Sequence, residues 1–112
     1  MSARAFCTVE ASTKRNASLG SGRTGAPATH LVGLMVTPLW PVSSETVNVL
    51  ELHSPREFKE CFHVPPTTTL PDVVEGDVLV HGGAEYRIAY VGEWTDWDIP
   101  TLHIVCQQIK GT

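Results

Sequence analysis

Five histidines and three cysteines among 112 residues are the side chains best suited to hold a metal or to act as nucleophiles. Their closest approach to ligand spacing is Cys61-x-His63 and His103-x-x-Cys106. On an extended strand, residues three apart point to opposite faces, so His103 and Cys106 cannot share an ion if residues 102–109 are a strand. Cys7, Cys61 and Cys106 are an odd number, too widely spread for a redox pair or a zinc knuckle. They read as buried thiols, with the histidines at the rim. A thiolate nucleophile is the remaining use, but no cysteine here is framed by glycine or placed to open a helix. "GSGRTGA" at 20–26 has the glycine content of a phosphate-binding loop. It lacks the Gly-Lys-Ser/Thr ending, and β-rich sequence follows where a helix must. The reading is therefore of no catalytic residue, no cofactor and no metal.

Aromatic residues offer a second kind of chemistry. Tyr86, Arg87 and Tyr90 hint at the stacking surface of an OB-like single-strand binder, the alternative function class. Glu85, Glu93, Asp96 and Asp98 surround them, and both tyrosines fall on the expected core face, which opposes that use. Trp94 and Trp97 lie in an acidic loop. They either fold back as a cap or serve as interface anchors, the use in which tryptophan is most enriched.

The elements that would position these residues are short and β-rich. "AFCTVEAS" alternates Ala5, Cys7 and Val9 against Phe6, Thr8 and Glu10, a strand pattern. "TKRNASLGSGRTGAPA", residues 13–28, has almost nothing apolar to bury and reads as a long mobile loop. "THLVGLMVT" is a strand with a bulge or bend at Gly33, ended by Pro38 and Pro41. A short helical turn follows, capped by Ser43 or Ser44. In "REFKECFHV" the set Phe58, Glu60, Phe62 and Val64 fits one strand face. Phe58 and Phe62 also fit successive helical turns, and the strand is preferred. Prolines 65, 66 and 71 make an extended link.

Residues 77–81, the Gly82-Gly83 turn, 85–91, the loop "GEWTDWDIPT" and 102–109 form a three-stranded meander. Tyr86, Ile88 and Tyr90 are expected on one face of its second strand; Leu102, Ile104 and Cys106 share one face of its third. The fold class expected is all-β: a single domain over 1–112, a small, partly closed antiparallel barrel or sandwich with long loops and at most a helical turn.

Charge is divided along the chain. Residues 1–44 carry four basic side chains against Glu10 alone, whereas residues 45–98 carry eleven acidic against three basic, within a net charge of −4. Such a chain can set one copy's positive segment against another's negative one, and its acidity opposes general affinity for nucleic acid. No run reaches the apolar length of a membrane span, and "MSARAFCTVE" lacks a signal-peptide core, so the chain is expected to stay in the cytoplasm where it is made.

The succession "GAPATHLVGLMVTPLWPVSSETVNVLELHSPREFKECF", "DVVEGDVLVHGGAEYRIAYVGEW" and "TLHIVCQQIK" resembles the head–tail connector proteins of long-tailed bacteriophages, more narrowly the head-closure or stopper protein of the neck. "TPLWP" at 37–41 and the hairpin at 75–94 carry most of the likeness. The resemblance implies a non-enzymatic virion protein, assembled in the host cytoplasm into a sixfold or twelvefold ring of itself. The portal or adaptor protein would lie above it, the tail terminator or tail tube protein below, and double-stranded DNA in the lumen without sequence recognition; no membrane is involved. It further implies that Gly76, Gly82, Gly83 and Tyr86 are scaffold positions. Interface contacts, between subunits or with the tail or adaptor, are expected at Lys14, Arg15, Arg23, Trp40, Glu45, Trp94, Asp96 and Trp97, with the basic loop 13–28 lying on a neighbour's acidic surface.

Overall fold

The computed structural model describes residues 7–20, 23–50, 58–65, 69–94 and 100–110. Seven strands and one helix follow in the order β1 (Val9–Gly20), β2 (Arg23–Val36), β3 (Trp40–Pro41), α1 (Ser44–Leu50), β4 (Phe58–His63), β5 (Val78–His81), β6 (Ala84–Trp94) and β7 (Thr101–Lys110). All pairings are antiparallel, in one sheet ordered β2-β1-β5-β6-β7-β4-β3. The fold is all-β, and among the described residues no ladder closes the sheet. It curls until the end of β2 meets β4: Thr37 N–H donates to Phe62 O at 2.9 Å, and Phe62 N–H donates to Thr37 Oγ1 at 2.9 Å.

The alternating pattern of the C-terminal third forms the expected meander. His81 pairs with Ala84 across Gly82 and Gly83, whose φ values of 59° and 80° are those a two-residue hairpin turn needs. Gly76 is also at positive φ. One face of the sheet buries Leu34, Val36, Cys61, Leu79, Ile88, Leu102, Ile104 and Cys106, with Tyr86 packed against them. Full burial of each large apolar side chain in this set stabilises the fold by about 1.5–3 kcal/mol.

Of the register shifts in the β1–β2 and β6–β7 ladders, two bear on what the faces carry. Gly33, at φ 67°, lies where the β1–β2 register slips between Ala11–Leu34 and Thr13–Leu31, as its place in the strand suggested. The second falls at Ala89. Ile88 pairs with Cys106 but Tyr90 pairs with Val105, so β6 spends one extra residue there. A one-residue slip exchanges faces. Tyr90 therefore does not share the core face with Tyr86 and Ile88, contrary to the simple alternation; Val91 takes the inner position instead.

The described parts of the expected loop, residues 13–20 and 23–28, are strands. Lys14 pairs with Thr29, Asn16 with Pro27 and Gly20 with Arg23, so β1 and β2 continue as a two-stranded ribbon. Polar, small residues suffice because the ribbon needs backbone ladder bonds rather than a core. Only Ser12, Thr13 and Lys14 of β1 also pair with β5; beyond them β1 pairs with β2 alone among the described residues. The protein measures 46 × 33 × 26 Å.

Candidate functional site

On the face opposite the main core, residues of α1 and of β4, β6 and β7 together line a pocket of about 230 Å³. Its floor is Glu60, only 5% exposed. A carboxylate taken from water must be compensated by hydrogen bonds, and here three elements supply them. His103 Nε2–H donates to Oε2 at 2.8 Å from β7, Thr46 Oγ1–H donates to Oε2 at 2.9 Å from α1, and the Ser43 amide donates to Oε1 at 3.1 Å. Burial works to raise the Glu60 pKa, but the bonds from His103, Thr46 and Ser43 outweigh it and hold the carboxyl below the usual glutamate range.

The same serine starts the helix. Ser43 Oγ accepts the Thr46 amide at 3.2 Å, and Ser43 O accepts Val47 N–H at 3.0 Å, which settles the cap between the two candidate serines. Glu60 thus ties a weak, β-branched helix to the sheet.

The walls are aromatic. Phe62 stacks on His103 with ring centroids 4.7 Å apart and planes at 11°; Tyr90 meets His103 edge-on at 5.9 Å; and Trp40 lies 6.2 Å from Phe62. Tyr90 reaches this position because Gly92 leaves room. A Cβ at Gly92 would run into the Tyr90 hydroxyl and sit 2.8 Å from its Cζ. Glu45, exposed in the first turn of α1, lines the mouth. Among the described residues, no lysine or arginine lines the pocket.

Of the residues expected at an interface, Glu45 lines this pocket, and Trp40, 38% exposed, has its ring tilted at 41° against Phe62 of the pocket wall. Trp94 is not in a loop; it is the last residue of β6, paired with Thr101. Asp96 and Trp97 lie outside the described residues. Lys14 and Arg15 each form ion pairs within their own chain. Lys14 Nζ is 3.7 Å from Glu85. Arg15 donates to both carboxylate oxygens of Asp77, each at 2.8 Å, and to Asp72 at 2.9 Å. Burial works to raise the Asp77 pKa; hydrogen bonds from Arg15 and the Val74 amide outweigh it and hold it low. This cluster fixes the root of the ribbon to the turn before β5. Arg23 stands at the ribbon's far end.

The cysteines are buried as expected, and burial pushes the Cys106 thiol up to about 12 and the Cys61 thiol higher still. His103 and Cys106 do face opposite sides of β7. His63 and His103 are buried rather than at the rim, His63 through Nδ1–H donating to Met35 O at 2.6 Å. The Glu60–His103 pair was missed in the sequence. Its signal is a glutamate between two phenylalanines in an alternating strand, and a histidine between Leu102 and Ile104: buried polar groups that require partners.

In comparisons with known proteins, no family model and no curated protein matches the chain.

Proposed function

We propose that this chain is a structural protein of a bacteriophage neck, acting in the virion after assembly in the host cytoplasm. It forms a ring between the portal or adaptor and the tail, closes the DNA channel after packaging, and offers the surface to which the tail attaches. The observation that carries this reading is the ribbon. Beyond Arg15 and its partner Ala28, β1 and β2 extend about 17 Å with no third strand among the described residues. A two-stranded ribbon is marginal alone in water and gains stability by docking. One projecting arm per copy suits head-to-tail contacts, which close into rings. The raised thiol pKa values of Cys61 and Cys106 favour a non-catalytic role over a cysteine enzyme.

The aromatic row Trp40, Phe62, His103 and Tyr90 lends some support to the alternative, a single-strand nucleic-acid binder. Glu45 and Glu60 beside that row repel phosphate and weigh against it.

The test is removal of the gene from the virus that encodes it. DNA-filled but leaking heads beside separate, complete tails, rejoined by adding purified protein, are the expected result. Normal virions without the protein would overturn the reading. Salt-sensitive retention of single-stranded DNA would favour the alternative.

A further inference from the structure

We infer that the pocket beneath α1 is a socket for a guanidinium side chain, and that its occupant is Arg23 on the β1–β2 arm of a second copy of this chain. The inference rests on the self-assembly reading above and names its contact.

The pocket's chemistry selects a cation. Glu60 at the floor, paired with His103, and Glu45 at the mouth give it two carboxylates, and among the described residues no lysine or arginine lines it. Phe62 and Tyr90 present aromatic surface beside them, and a planar guanidinium stacks on such faces while its N–H groups reach carboxylates. About 230 Å³ is below the range of pockets that take cofactors or drug-sized molecules, but it suits one long side chain.

The topology supplies the source. Arg23 opens β2 at the far end of the ribbon, paired with Gly20, whereas Thr37, just past the other end of β2, hydrogen-bonds Phe62 in the pocket wall. Socket and arginine are thus about 40 Å apart along one strand. An arm directed away from its own socket can fill only another copy's. That contact is heterologous, the kind that propagates round a ring.

Charge exchange tests it on the full chain. Arg23→Glu and Glu45→Arg are made singly and together, with melting curves to establish that each folds, and association is followed by sedimentation alone and on DNA-filled heads. Each single variant is expected to weaken association at least about tenfold, and the double variant to recover most of that loss. Single variants that associate like the wild type would overturn the socket while leaving self-assembly intact. A wild-type chain that stays monomeric even on heads would overturn both. Titration with N-acetylarginine amide and with putrescine separates the sources. Weak binding of the arginine derivative, lost in Glu45→Arg, is expected. Tight binding of putrescine to a chain whose assembly ignores Arg23 would make the socket a small-molecule site and refute the arm as occupant.

Discussion

Replacing Glu60 by glutamine keeps the side chain's shape and removes its charge. The carboxylate accepts three hydrogen bonds, from His103, Thr46 and the Ser43 amide. Bonds to a charged acceptor contribute about 1.5–3 kcal/mol each and neutral ones about half that. The glutamine NH₂ also sets a donor against one of those donors. Relief from burying a charge returns part of the loss, leaving a net destabilisation of about 2–3 kcal/mol. In urea the midpoint should fall by about 1–2 M, and the melting temperature by roughly 10 °C. Because the folded pKa of Glu60 is depressed, its contribution is present above the ordinary glutamate value and is lost as pH falls through the folded value. The gap between wild type and Glu60→Gln should therefore be full at pH 7 and shrink below about pH 4.5. Urea titrations followed by tryptophan fluorescence at several pH values measure it. A gap under about 0.5 kcal/mol at pH 7, or one unchanged down to pH 3, would refute the claim that this carboxylate holds α1 to the sheet.

Other perturbations probe the remaining parts. Ile104→Ala, at a fully buried position, should cost about 2–5 kcal/mol in urea unfolding, whereas Val32→Ala, 76% exposed, should stay within about 0.5 kcal/mol. Thr13 Oγ1 is buried with no hydrogen-bond partner among the described residues, so Thr13→Val should raise stability by about 1 kcal/mol in the same assay. Arg15→Gln should speed amide exchange at Val74 and Asp77 and along the ribbon root, leaving β6 and β7 protected. Gly92→Ala should displace the Tyr90 ring, seen as shifted His103 and Tyr90 ring resonances, with the main core retained.

Much of the architecture is legible in the sequence. Strand alternation from 77 to 109, the glycine pair at 82 and 83, and the proline breaks specify the meander, because period-two burial and positive φ are local requirements. Ser43 with a β-branched run specifies a short, capped helix. The ribbon was not legible: residues 13–28 have no apolar pattern, and two strands that satisfy only each other's backbone groups leave no periodic signature. The side taken by Tyr90 was equally hidden, since the bulge at Ala89 has no glycine or proline to mark it.

The sequence by itself determined an all-β chain, buried thiols and a charge division between its halves. Only tertiary structure decided what that charge does. Lys14 and Arg15 are engaged at the ribbon's root, because the β1–β5 pairing carries them to Glu85 and Asp77. Glu60 and His103, 43 residues apart, meet because β4 and β7 pair in a register that sets Phe62 opposite His103. Register between distant strands depends on bulges, turns and shared burial along the whole sheet, and so no local stretch encodes the site.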